Sequence, residues 1–520
     1  MERLSGLDAS FLYAETDTML MHVAFIAICD GSDVPGGYDY RDIHSLIDVK
    51  TQEEPAFRRR LVAVPFNLNH PVWVDDPSFH VTEHIHQHTL PHGSGPGALG
   101  NKIGRIMSEP LDRSKPLWEA WVIEGLENSR FALILKIHHA MVDGVSGTDL
   151  FRHLFSTQRD FQVPVITNRS RGEKLPSKTQ LITDALRSRI TSSRRLGALL
   201  GHSLSGIAHL ANGAGASGEG RSRPLTAPRT AFNRRITRHR DVALVQFSLS
   251  HIKAIKNATG TTVNDVVLAV CGGAIRRYLQ QHNDLPAKSL VAMVPISVRK
   301  PSESMVTNNQ VSGMWSTLAT HVADPLERLQ LIHQDTRDAK QDHDAVGADL
   351  LQNWAEFNTP GAFNLAMRFY ANTLVDVINP VHNTIISNVP GPRETLYLAG
   401  SKIECICPIG PVMEGVGLNI SLASYRDCIG FTLHADSGLV KDVQSLVYLL
   451  REALAELQAA IANGGVEASG AGTDEIRRNS PKVDSPRGET IRARTLFRRR
   501  ANPQAGPKRP RQPRRLVRSA

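Results

Sequence analysis

Residues 131–144 read FALILKIHHAMVDG, and the fold turns on how this stretch is parsed. Phe131 to His139 is rich in Ile and Leu and is followed by Asp143-Gly144, which predicts a buried strand that runs out into a turn. Adjacent residues of a strand point to opposite faces, so one histidine of the pair can enter a cleft while its neighbour faces the scaffold. An imidazole with an ordinary pKa near 6.5 takes a proton from a hydroxyl at neutral pH and returns it to a leaving group. Gly144 permits the sharp turn, and Asp143 can hold the backbone there or bind a cation. The bland alternative is a pair of core histidines followed by an ordinary turn.

Outward from this motif, Thr148 to Phe155 is short and apolar on one side, as a helix would be. Residues 1–167 form a first α/β half, and 168–239 a linker dominated by Ser, Gly and Arg with one helix candidate at Leu196 to Leu210. Residues 240–465 form a second half. There strands are expected at Val242 to Ser248, Ser289 to Val298, Val311 to Leu318, Asn383 to Ser387, Leu418 to Ser424 and Cys428 to Ala435. Helices are expected at Leu249 to Thr259, Thr261 to Gln281 and Asp442 to Ala462, the second of them long, buried and opened by Thr and Asn cap candidates.

The chain has 520 residues, enough for about two to four domains. Its 41% apolar and 21% charged residues fit a folded body. The net charge of +9 belongs to the end of the sequence: residues 466–520 carry 15 Lys and Arg against 5 Asp and Glu, and the rest nets −1. That tail lacks apolar periodicity and is expected to be disordered. Its charge suits anionic lipid; nucleic acid ranks below, because no aromatic platform accompanies the arginines. Five cysteines, an odd count in a large chain, argue for reduced thiols in an intracellular setting. Asp8, Glu15 and Asp17 precede the short apolar run Met19 to Cys29, opposite to the flank of a signal peptide, and no run reaches 18 apolar residues. The expectation is a cytoplasmic protein, not secreted and without a transmembrane helix.

The motifs together resemble the bacterial wax ester synthase and acyl-CoA:diacylglycerol acyltransferase family, in particular the actinobacterial triacylglycerol synthases. The resemblance runs to about Gly465 through LSGLDASFLYAET, Met21-His22-Val23, Pro116-Leu117-Trp118, HHAMVDG, NDVVLAVCGGAIRRYL from Asn264, VPISVR ending at Arg299, SNVPGP from Ser387, and Leu418-Asn419-Ile420. It implies an α/β fold of two chloramphenicol-acetyltransferase-like domains with a tunnel at their interface. It implies acyl-CoA as a substrate rather than a cofactor, and diacylglycerol or a long-chain alcohol as acceptor. His139 is the implied general base, His138 its motif neighbour, Asp143 a structural support with Arg299 as an ion partner, and Gly144 the turn. Asn264, Asp265, Arg299 and Ser387 are implied site support, with the oxyanion donor sought near Asn264. The peripheral surface of the inner membrane or of lipid droplets is the implied setting; oligomeric state is not specified. Asn308-Asn309 departs from the Gly-Asn usual in the family.

A second reading keeps the fold but makes the chain a catalytically weak lipid-binding paralogue; a third makes it an acyltransferase acting on a polyketide or peptide alcohol. Leu196 to Leu210, with Arg187, Arg189, Arg194 and Arg195 before it, is either a membrane-surface helix or one packed on the body. Gly201 to Ser205 resembles a hydrolase nucleophile elbow but lacks the final glycine and a preceding strand. His80, His84, His86, His88 and His92 read as strand histidines, and no metal is expected.

Overall fold

The computed structural model describes residues 1–141, 153–162, 169, 172–188, 226–297, 311–346, 365 and 367–475. The stretch 130–138 is strand β7 (Arg130–His138) of a six-stranded sheet. Every side chain from Phe131 to His138 is buried, which is why the stretch reads as a continuous apolar run rather than an alternating one. β2 (His22–Asp30) and β6 (Trp118–Leu126) flank it antiparallel, and β5 (Ile85–Ser94) runs parallel to β6. Lys136 is fully buried mid-strand, and its ammonium donates to the Ile106 and Glu109 carbonyls at 2.9 and 2.7 Å. Those carbonyls close helix α3 (Pro96–Ser108), so a cation sits at the negative end of its dipole. Helices α1 (Gly6–Ala14) and α2 (Tyr40–Glu53) precede α3; β1 (Glu2–Arg3), β3 (Arg59–Val62) and β4 (Val72–Asp75) form a small separate sheet.

The second six-stranded sheet has the order β10-β9-β11-β14-β15-β8. Its strands are β8 (Arg240–Ser248), β9 (Val291–Ser297), β10 (Val311–Thr317), β11 (Thr384–Val389), β14 (Leu418–Tyr425) and β15 (Cys428–Asp436). Helices α4 (Leu249–Thr259), α5 (Val263–Gln281) and α6 (Pro325–Val346) accompany it, with the final helix α7 (Val443–Glu475). The apolar run of α5 is core, packed with β8, β9, β14 and β15. No single helix among the described residues is long and apolar enough to cross a membrane.

Two features depart from the linear division into halves. β12 (Tyr397–Leu398) and β13 (Ser401–Ile409) lie in the second half of the sequence but pair in the first sheet, β13 antiparallel to β2. No local pattern in 397–409 announces which sheet will receive the strands, because that depends on a long-range edge. The second departure is α7, which continues ten residues past 465, since extending a formed helix costs far less than starting one.

The two sheets meet through close backbone approaches. On α3, Gly100 and Gly104 face the carbonyls of Val242 and Arg240 on β8, and a Cβ at either glycine would collide with that backbone. On β15, Gly430 lies against Cys405 and Cys407 of β13. All five cysteines are unbridged, four of them buried. Asp143, Gly144, Arg299, Asn308-Asn309, Gly201 to Ser205 and the Leu196 to Leu210 helix lie outside the described residues, as does all of Thr148 to Phe155 before residue 153.

Candidate functional site

The site begins with α1. Ser5 caps it, its hydroxyl accepting from the Asp8 amide at 3.1 Å, and the helix ends at Ala14 with Glu15 as its C-terminal cap. Leu4, Ala9, Leu12 and Tyr13 bury with Leu117 and Ala140 in one small core. This seats α1 across the end of β7, where it presents Phe11 and Glu15 to the two histidines.

His138, the last residue of β7, is almost wholly buried. Its Nδ1 accepts from the Ala140 amide at 3.0 Å, and its Nε2 lies 2.7 Å from Glu15 Oε2. An acceptor at Nδ1 requires the proton to sit on Nε2, which therefore donates to the carboxylate. Burial holds the His138 pKa below its ordinary value, against the opposing pull of Glu15. For Glu15, burial acts against ionisation, but the contacts with His138 and with Arg113, 2.6 Å away, outweigh it and hold its pKa below the usual carboxylate value. With both nitrogens engaged, neutral His138 has no acceptor left for a substrate proton.

His139 differs in every respect. It leaves the strand in a short 3-10 turn and is half-buried. Its amide donates to the Met21 carbonyl at 2.8 Å, and its ring stacks on Phe11 with centroids 4.0 Å apart and planes 16° from parallel. Phe11 in turn packs on a seam built from both halves of the chain, including Met19 and Met21 from one and Ile236 and Val412 from the other. The base candidate thus stands at an apolar junction of the two halves, oriented by stacking.

The neighbouring motifs explain themselves as supports. Leu117 of Pro116-Leu117-Trp118 offers its carbonyl to the His138 amide at 3.0 Å, while the Trp118 indole donates to the Phe57 carbonyl at 2.7 Å. His22 faces His138 in register across the β2–β7 pair. Among the described residues neither of its ring nitrogens has a hydrogen-bond partner, and burial holds its pKa well below the ordinary value.

Asp265 lies elsewhere, at the start of α5. Its carboxylate accepts from the Thr262 amide at 2.9 Å, from the Thr336 hydroxyl at 2.8 Å, and lies 2.7 Å from His333 Nδ1. The Thr262 hydroxyl accepts in return from the Asp265 amide, completing a capping box. These bonds occupy both oxygens, so Asp265 ties α5 to α6. Asn264 precedes it, half-buried in the first turn. Ser387 lies on β11 opposite Ser421 of β14, where the Ser421 hydroxyl donates to Asn419 Oδ1 at 2.7 Å.

Glu15 and Arg113 were not singled out as site residues in the sequence. Glu15 stands inside the LSGLDASFLYAET segment, and an acid closing an apolar helix was the available signal; nothing local marks Arg113. Both line a cavity of about 650 Å³ that also takes in Arg235, Arg238, Arg368 and Glu414. Two histidines of the 80–92 stretch pack on tryptophans: His84 stacks on Trp118 with centroids 4.6 Å apart, and His86 lies tilted over Trp121 at 4.4 Å, while His80 and His92 are exposed. Among the described residues no group of three or more His, Cys, Asp or Glu is arranged to hold a metal ion.

Comparison with known proteins agrees with this geometry. The model of the wax ester synthase/diacylglycerol acyltransferase catalytic domain matches residues 4–267, and that of the corresponding C-terminal domain matches residues 307–458. A Mycobacterium tuberculosis protein named as a diacylglycerol O-acyltransferase is 36% identical over 88% of this chain and 90% of its own length. The O-acyltransferase WSD of Acinetobacter baylyi is 31% identical over 89% and 98%. Among solved structures, the wax ester synthase/diacylglycerol acyltransferase of Marinobacter aquaeolei VT8 superposes with a TM-score of 0.64 at 28% identity, covering 88% of this chain and all of that one. The first condensation domain of the CDA synthetase shares the fold alone, with a TM-score of 0.51 at 14% identity over 88% and 96%. The two matched domains, the full-length relatives and the histidine pair at the seam agree: the chain belongs to the wax ester synthase/diacylglycerol acyltransferase family.

Proposed function

We propose that this protein transfers a long-chain acyl group from acyl-CoA to diacylglycerol, forming triacylglycerol, and to long-chain alcohols, forming wax esters. His139 is the general base. It takes the proton of the acceptor hydroxyl as that oxygen attacks the thioester carbonyl. The tetrahedral adduct collapses with cleavage of the carbon–sulfur bond, and the imidazolium returns the proton to the departing sulfur, giving the ester and free CoA. No covalent enzyme intermediate is required, and holding both substrates at one imidazole in an apolar seam supplies much of the acceleration.

The observation that carries this reading is the contrast between the two histidines. Both nitrogens of His138 are committed, to Glu15 and to the Ala140 amide, while His139 is oriented by Phe11 at the junction of the halves. His138 and Glu15 are then positioning residues. Asn264, Asp265 and Ser387 support the second half. The likeness to proteins named for transfer to diacylglycerol and for wax ester synthesis supports both acceptors.

The test is CoA release from palmitoyl-CoA with dioleoylglycerol or hexadecanol as acceptor, with lipid products resolved. Product that disappears in His139→Ala supports the reading. No product from either alcohol, with lipid binding retained, favours the lipid-binding paralogue.

A further inference from the structure

Three of the five cysteines meet where the two sheets press together. Cys405 and Cys407 are two residues apart on β13 and so share a face of it; both are buried, with their sulfurs 3.6 Å apart. That face lies against β15, and Gly430 is what allows it, since a Cβ there would stand 2.7 Å from each sulfur. Cys428 precedes Gly430 by two residues and shares its face of β15. Its thiol reaches the Glu404 carbonyl at 3.7 Å, next to Cys405, and the Cys405 and Cys428 thiols are hydrogen-bonded to each other. Sulfurs from opposite sheets are thus held in contact.

The members of this cluster are unequal. Cys405 and Cys407 are sealed from solvent, whereas Cys428 is half-buried at the start of β15, behind the exposed Arg426 and Asp427. The hydrogen bond from Cys405, with the Arg426 guanidinium nearby, outweighs burial and holds the Cys428 pKa below its ordinary value; Cys405, bonded to both other thiols, is held well above its own. Thiolate is the nucleophilic form, so Cys428 is the thiol that reacts first and Cys405 the one placed to follow. Burial pushes the Cys271 pKa up to about 12 and raises that of Cys29, which leaves both inert. Cys407 is a poor partner for Cys405. Residues two apart on a strand have Cα atoms about 6.6 Å apart, at the upper end of what a disulfide spans, and β13 is pinned to β2 along its length. Cys428 approaches from the facing sheet, outside that restraint.

We propose that Cys428 and Cys405 are a peroxide-sensitive thiol pair whose disulfide ties β13 of the first sheet to β15 of the second. The Cys428 thiolate attacks one oxygen of hydrogen peroxide and the O–O bond breaks. The departing hydroxide takes a proton to leave as water, with Cys428 now a sulfenic acid. The Cys405 sulfur then attacks the Cys428 sulfur; the S–S bond forms as the S–O bond breaks, and the hydroxyl leaves with the Cys405 proton as a second water. The peroxide is reduced to water, the two thiols are oxidised, and a small thiol reverses the link by exchange. The oxidised form locks the seam covalently, and neither step depends on the acyl transfer proposed above.

Trypsin cuts after Lys402, Arg426 and Lys441, which puts Cys405 and Cys407 on one peptide and Cys428 on the next. The folded full chain is treated with hydrogen peroxide, its remaining thiols are alkylated, and the digest is read by mass spectrometry. Peptides 403–426 and 427–441 are expected to be joined, with fragmentation at Ile406 placing the bridge on Cys405, and to separate after dithiothreitol. Cys29 and Cys271 are expected to stay free thiols. Cys428 should react with iodoacetamide at least about tenfold faster than the other four. In Cys405→Ala, dimedone should capture a sulfenic acid at Cys428; in Cys428→Ala neither link nor adduct should form. The wild-type link is read without any variant, so a substitution that fails to fold does not decide the result. Cys428 left unmodified by peroxide would overturn the proposal, as would a bridge confined to 403–426, one that ends on Cys407, or one that forms only in urea.

Discussion

Glu15 and His138, 123 positions apart in sequence, are joined by a buried bond of 2.7 Å, and that bond fixes the proton of the first motif histidine on Nε2. The carboxylate comes from the end of α1, the same helix whose Phe11 stacks on His139, so one element orients both rings. Removing the acceptor leaves a buried N–H unpaired, at a cost of about 1–3 kcal/mol. Glu15→Ala is therefore expected to lower kcat by about tenfold to a hundredfold. The KM for acyl-CoA should change little, and Glu15→Gln, which keeps an acceptor oxygen, should recover part of the loss. Equal activity in all three proteins would remove Glu15 from the site.

Acid should loosen the fold before it touches the carboxylates. Burial holds the pKa values of His22 and His138 below the ordinary 6.5, and those of His382 and His434 at about 4 and about 3. Each of these groups binds a proton more readily in the unfolded chain. Its contribution is full above pH 6.5 and is lost as pH falls, at about 1.4 kcal/mol per pH unit per group. Glu414, whose pKa burial raises, opposes the trend, and the lowered pKa of Glu15 matters only below its ordinary 4.5. Urea melts should show stability nearly constant from pH 8 to 7 and falling steeply toward pH 5. A flat profile to pH 5 would contradict the burial assigned to these histidines.

The strand leading into the histidine pair, the core helix at 263–281 and most strands of the second half were legible because each is a local pattern: a continuous apolar run, a helix start with Thr and Asn cap candidates, a β-rich segment between turns. The passage of 397–409 into the first sheet was not, since strand partners are chosen by an edge hundreds of residues away. The same limit applies to the site. His138 and His139 are adjacent and stand out, but their different fates depend on Glu15, Phe11 and Met21, which no spacing rule connects to residue 138. A Thr cap at the start of α5 was legible, whereas the bonds of Asp265 to Thr262, His333 and Thr336 required the fold.

Asp265 separates support from chemistry. Asp265→Ala deletes a capping box and leaves Thr336 and His333 without their shared acceptor, an expected loss of about 2–4 kcal/mol in stability. Activity per folded molecule should stay within about threefold of wild type, since a group held this way acts through the helix it anchors. A thousandfold fall in activity with stability intact would instead place Asp265 in the reaction.

The seam between the sheets tolerates no added volume at α3. Gly100→Ala and Gly104→Ala each place a methyl group against the β8 backbone and are expected to cost about 1–3 kcal/mol, read as a lower urea midpoint. Either variant with wild-type stability would mean that α3 does not press on β8 as described.

The central claim is the division of labour within the histidine pair, and CoA release from palmitoyl-CoA with dioleoylglycerol tests it most directly across wild type, His138→Gln and His139→Ala. General-base catalysis is worth about 10²–10⁴-fold. His139→Ala is expected to lose at least about that much while remaining folded, and His138→Gln to keep measurable turnover with a reduced kcat. Turnover by His139→Ala within a few-fold of wild type would contradict the assignment of His139 as the base.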